Sequence, residues 1–163
     1  MLDHSAIFGL QFLLSLIVYV LIAKWYVAPW LAGKPVEQAL VPLIFPHAFR
    51  HMGLLFLVPG VVAEPLPPEF ADPAAYGDLA SGVLAILALV ALRGGWGAAL
   101  PLVWLFNVVG TVDLFYAVFR GLSVGASENM GAAWYIPTFI VPALLVTHFM
   151  VFARLLRAKS DVH

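Results

Sequence analysis

Five long apolar stretches, separated by short polar or proline-rich joints, leave this chain little choice of solvent. The run from Ala6 to Ala23 holds no charged residue, and roughly 20 mainly apolar residues are enough to cross a bilayer as a helix. At that depth backbone N–H and C=O groups find no water, so each segment must satisfy its own, as a helix does. The candidate spans lie at about 5–28, 37–62, 77–92, 98–120 and 132–157. Charged residues make up only 10% of the 163-residue chain and hydrophobic ones 63%. A soluble domain carries roughly 25% charged residues, so lipid is the natural surrounding here. The expected fold is all-α: a single integral membrane domain over 1–163, built as a bundle of five transmembrane helices.

The joints fix the expected topology. The chain opens Met1-Leu2-Asp3-His4, without the positive charge that begins a cleavable signal, so the first stretch reads as a span. Residues 63–76 carry Pro65, Pro67, Pro68 and Pro73 among Glu64, Glu69 and Asp72, and this density of proline reads as loop. Alternating five spans gathers Lys24, Lys34, Arg93, Arg154, Arg157 and Lys159 on one side. Arg120 is left on the other, with Arg50 inside a span. Basic residues mark the cytoplasmic side, so the N-terminus is expected outside and the C-terminus inside. The acids Asp3, Glu64, Glu69, Asp72, Asp78 and Glu128 then fall outside. Trp25, Trp30 and Trp96 are expected at the inner interface, and Tyr76, Trp134 and Tyr135 at the outer one.

Several function classes drop out on composition. A net charge of −1 gives no basic footprint for nucleic acid. With no cysteine, thiol catalysis, disulfides and thiolate metal sites are excluded, so a metal or haem would need histidine, carboxylate or methionine.

Polar groups within the spans carry the functional expectations, because a charge at membrane depth costs roughly 2.5–3.5 kcal/mol on insertion scales and usually faces inward. The second span holds Pro46-His47-Ala48-Phe49-Arg50-His51. At about 100° per residue, His47, Arg50 and His51 share one face of an α-helix. The fourth span brings Asn107, Gly110, Thr111 and Asp113, the fifth Thr138, Thr147 and His148, and the first Gln11, Ser15 and Tyr19. Counted from the cytoplasmic ends, His47, Asn107, His148 and Tyr19 fall at one level, about 14–15 Å deep. Arg50, His51, Asp113 and Ser15 fall at a second, about 20–22 Å deep. Spans one, two, four and five are therefore expected to turn polar stripes to a common interior, with Arg50 paired to Asp113. Such a pair also serves simply to lock a bundle. Pro42, Pro46 and Pro59 in the second span, and Pro137 and Pro142 in the fifth, are expected to bend their helices and free carbonyls. Gly53, Gly60, Gly82 and Gly110 read mostly as close-packing positions.

Three functions fit this pattern. In the first, His47, His51 and His148 bind a divalent metal, or two of them bind haem b, in a membrane redox component. Arg50, Asn107 and Tyr19 support the cofactor, and Phe49, Phe106, Gly110 and Phe149 wall it. In the second, the chain is a cofactor-free enzyme or binder for a lipid-soluble small molecule such as an isoprenoid, sterol or quinone, with Asp113 and His47 as acid and base. In the third it is a non-catalytic partner of another membrane subunit, or a proton or ion pathway, its polar groups fixing helix packing or relaying protons. A bacterial cytoplasmic membrane is the expected location, with bilayer lipids as neighbours.

Overall fold

The computed structural model describes residues 3–160, of which Ala158, Lys159 and Ser160 are described in backbone only. Met1, Leu2 and the Lys159 side chain, used in the reading above, lie outside the described residues. Five helices are long and apolar enough to cross a membrane: His4–Leu31, Val36–Leu57, Pro68–Arg93, Ala99–Ser123 and Gly131–Arg157. Their outward faces are apolar, as lipid requires: Leu13 and Ile17 on the first, Val83 and Ile86 on the third, Val112 and Phe115 on the fourth, and Leu156 on the fifth. The second span packs against the third and fifth, the third against the fourth, and the fourth against the fifth. The first lies outside this group, against the fifth, and its helix His4–Ile22 buries no residue.

Two boundaries differ from the sequence reading, and proline explains both. The second span stops at Leu57 rather than continuing to 62. Val58 is extended (φ −97°, ψ 112°), the conformation that a following proline, here Pro59, imposes on its predecessor. Gly60 then turns the chain at φ 85°. The third span begins at Pro68 rather than at 77, because Pro68 sits in the first turn, where a missing N–H costs nothing. Pro73 lies inside that helix, and its ring displaces the carbonyl four residues back, that of Glu69. This carbonyl accepts from Arg120 Nε at 3.4 Å. Asp78 is thereby ten residues into a helix instead of at its rim.

The second span also changes period partway. Val36–Ile44 is α-helical, whereas Phe45–Leu57 is a 3₁₀ helix. Pro46 has no N–H to give the carbonyl of Pro42, so the α ladder cannot run through this point. With three residues per turn, positions i and i+3 eclipse, and His47, Arg50, Gly53 and Phe56 form one buried column. A 3₁₀ stretch of this length is uncommon, and one placed mid-helix often marks a functional element. The end of the bundle that carries the start of the first span is closed by two joined loops: Ala63 N donates to Asn129 O at 3.1 Å and Ala132 N to Val61 O at 2.7 Å.

Candidate functional site

The buried column of the second span aims Arg50 into the middle of spans two to five. Its side chain is 1% exposed, and four of the five N–H groups of a guanidinium have partners. Nε donates to Asp78 Oδ1 at 2.7 Å, and Nη2 is ion-paired with Asp113 Oδ2. Nη1 donates to the Gly110 carbonyl at 3.0 Å and lies 3.4 Å from His148 Nε2. The expected Arg50–Asp113 pair is present, and it has a third member that the sequence reading left outside the membrane. A 16-residue third span (77–92) would measure only about 24 Å against a hydrocarbon core of roughly 30 Å. That shortfall is the signal that should have carried the helix back over Asp78.

Three glycines make the centre possible. The Asp78 carboxylate occupies the space a side chain on Gly53 would need, and the Asp113 carboxylate does the same at Gly77. A Cβ on Gly110 would lie 2.8 Å from Arg50 Nη1 and 2.9 Å from His148 Nε2. Gly82, by contrast, lets backbone approach backbone, its nearest neighbours being His51 N at 3.4 Å and His47 O at 3.6 Å. Gly60 belongs to the outer turn.

Next to the ion centre the histidines are held in defined tautomers. Asn107 Nδ2 donates to the His148 carbonyl at 3.2 Å, so its Oδ1 faces His148 Nδ1 at 2.7 Å and accepts from it. His148 therefore carries its hydrogen on Nδ1 and presents a bare Nε2 to Arg50. Thr147 Oγ1 donates to the carbonyls of Ala143 and Leu144, each at 3.0 Å, and so accepts from His47 Nε2 at 2.9 Å. His47 is left with an unprotonated Nδ1. That atom and Ser81 Oγ are buried without a hydrogen-bond partner among the described residues. The His47 and His148 rings lie 4.1 Å apart between centroids, with Phe106 5.0 Å from the first and 5.3 Å from the second.

The two predicted levels are thus only partly realised. His47, Asn107 and His148 meet, and Arg50 meets Asp113. His51 does not join them: in a 3₁₀ helix it lies 120° off the column, and it is exposed, with Nδ1 3.1 Å from the Ala48 carbonyl. Tyr19 stacks edge-on to Phe139 at 5.6 Å, away from the centre, while Gln11 accepts from Trp134 Nε1 at 2.5 Å. The converging spans are therefore two, three, four and five, not one, two, four and five. Phe49 and Phe149 are exposed and stand away from the imidazoles, whereas Phe106 is buried against both.

This donor set does not fit the cofactors considered above. His148 spends both ring nitrogens on Asn107 and Arg50, and His47 spends one on Thr147. Imidazoles in ring contact leave no gap for a macrocycle between them. Among the described residues no three His, Asp or Glu side chains are grouped to hold a metal ion.

A cavity of about 70 Å³ borders this centre at Asp78, towards the joined loops. All five spans contribute to it: Phe8 from the first, Phe56 from the second, Phe70 and Ala74 from the third, Leu114 from the fourth and Val141 from the fifth. Asp78 is its one ionisable lining residue among the described residues, and Met130, in the loop joined to Val61 and Ala63, also borders it. Asp78 is 7% exposed overall, and its Oδ2 accepts no hydrogen bond among the described residues.

Residues 7–156 match the family described as Domain of unknown function (DUF8737), and the chain belongs to that family. No curated protein and no solved structure matches the chain.

Proposed function

We propose that the chain binds a lipid-soluble small molecule within the membrane, in the cavity between its spans, with Asp78 meeting the ligand's polar group. The observation that carries this reading is the coincidence of an apolar cavity with a carboxylate held by Arg50. Ligand sites are typically apolar concavities with a few convergent polar groups, and ionisable residues at membrane depth are functional by default. The slim volume suits the end of an isoprenoid chain or a quinone tail better than a whole sterol. Asp78 takes the place that Asp113 and His47 hold in the sequence reading, since neither of those borders the cavity. Arg50 fixes the Asp78 rotamer through Nε, and Asp113 fixes Arg50 in turn.

The same reading places the N-terminus and the cavity on the outer side of a bacterial cytoplasmic membrane, on the strength of the basic residues gathered at the opposite ends of the spans. Extraction of protein purified from native membranes, followed by mass spectrometry of the extract, tests the binding. A stoichiometric lipid-soluble compound is expected, and it should be lost in Ala74→Leu, which fills the cavity from a wall position 2% exposed. Bulk phospholipid alone, unchanged by Ala74→Leu and by a second filling variant, Ala117→Leu, would refute it.

A further inference from the structure

The ion centre does not balance. Asp78 and Asp113 bring two carboxylates to the single guanidinium of Arg50. The other titratable groups packed around it do not supply the missing charge. His148, from the fifth span, accepts at Nε2 while it donates from Nδ1, and is neutral in that state. His47, from the second span, donates at Nε2 and is bare at Nδ1. The first span brings no ionisable side chain to the centre. With both carboxylates ionised, one negative charge is left over inside the bundle, where water does not screen it, so either a proton on one carboxyl or a cation from outside must balance it.

The surplus is presented to the cavity. Asp113 engages Arg50 from a position outside the cavity wall, whereas Asp78 lines it with Oδ2 unpartnered. Phe56 and Phe70, packed edge to face with centroids 5.3 Å apart, line the same space as Asp78. A cation entering here shares the space with a carboxylate and two aromatic rings, the groups that hold desolvated ammonium ions. An anionic head would add to the surplus, and a neutral hydroxyl would leave it standing.

Resting on the binding role argued above, we infer that the ligand is a lipid-soluble cation: an apolar chain ending in a protonated amine, whose N–H donates to the Asp78 carboxylate. The ammonium restores neutrality to the Asp78–Arg50–Asp113 centre, and the chain lies along Phe56, Phe70 and Leu114.

The test compares octylamine with octanol, two probes of equal chain length, on the full chain in lipid nanodiscs, read as a dose-dependent rise in the unfolding midpoint. Octylamine should act at a concentration at least about tenfold lower than octanol, a factor that corresponds to about 1.4 kcal/mol. Asp78→Asn should abolish the preference, so that amine and alcohol act at the same concentration on that variant. If Asp78→Asn does not fold, Asp113→Asn carries the test, because it removes the surplus charge without altering the cavity wall; the preference for the amine should then collapse. Equal action of both probes on the wild type, with both lost in Ala74→Leu, would overturn the ligand class while leaving the binding cavity in place. Action of neither probe would overturn both. A preference for the amine that survives both asparagine variants would overturn the role of the charge surplus.

Discussion

Replacing Gly110 with alanine puts one methyl group where the centre has no room for it. The new carbon would lie 2.8 Å from Arg50 Nη1, 2.8 Å from His148 Cε1 and 2.9 Å from His148 Nε2. Contacts to the end of an arginine are normally relieved by moving the arginine. Here Nε is bonded to Asp78 and Nη2 to Asp113, and the far side of the imidazole is bonded to Asn107. Relief therefore breaks the Nη1 bond to the Gly110 carbonyl, a charge-assisted bond worth about 1.5–3 kcal/mol, and leaves residual strain of about 1–3 kcal/mol. Alanine returns about 0.5–1 kcal/mol of helix propensity. A net loss of about 1.5–5.5 kcal/mol is expected. Gly82→Ala is the matched control, since its nearest neighbours lie at 3.4–3.7 Å and only the propensity gain remains. Reversible unfolding in mixed micelles, followed by circular dichroism, compares the two. A Gly110→Ala protein as stable as Gly82→Ala would mean that the guanidinium is free to shift and that the centre is not locked as described.

Three further outcomes are open to direct measurement. His51→Ala should leave the unfolding midpoint unchanged, whereas His148→Ala, which strands Asn107 and opens a void beside Phe106, should lower stability by about 2–4 kcal/mol; equal effects would refute the 3₁₀ register that separates His51 from the column. Ser81→Ala should raise stability by about 1 kcal/mol, because the hydroxyl is buried without a partner, and a loss in the same unfolding assay would reveal a partner for it. The chain has no cysteine, so single-cysteine reporters need no background removed: Ser127→Cys should react with a membrane-impermeant maleimide in intact cells and Ala158→Cys only after lysis, with the reverse pattern refuting the orientation.

What the sequence discloses and what it hides divide along a physical line. Apolar length and basic asymmetry are properties of whole segments, and they give the five spans and the Arg50–Asp113 pairing because each charge has so few possible partners. Which face a residue takes depends on the local period, and that is where the reading fails. His51 shares a face with His47 and Arg50 only at 100° per residue; Pro46 switches the helix to 120° and moves His51 out. Proline density from 65 to 73 read as loop and hid the helix start that carries Asp78 into the membrane, although proline in a first turn is ordinary. Gly53 and Gly77 read as packing positions or not at all, because nothing in a single chain announces that a missing Cβ is the seat of a carboxylate from another helix.

Whether the ion centre exists for the bundle or for the cavity can be decided by removing all of it at once. Deleting Arg50 alone leaves two carboxylates without their cation and is costly whatever the group is for. Exchanging the whole group for apolar residues of similar volume is often neutral or stabilising by about 1–4 kcal/mol. Arg50→Met with Asp78→Val and Asp113→Val makes that exchange in the second, third and fourth spans together. A centre serving only to register the helices predicts a protein that loses its unique packing, seen as broadened amide resonances and a less cooperative transition. A centre maintained for a ligand predicts cooperative unfolding at or above the wild-type midpoint and no response to octylamine. The second outcome is expected, because the apolar contacts of Leu40, Leu43, Val103 and Phe106 already fix the inner half of the bundle without help from charge. Loss of cooperativity in the triple variant, with the amine response retained in any variant that still folds, would assign the charges to architecture and refute the binding role.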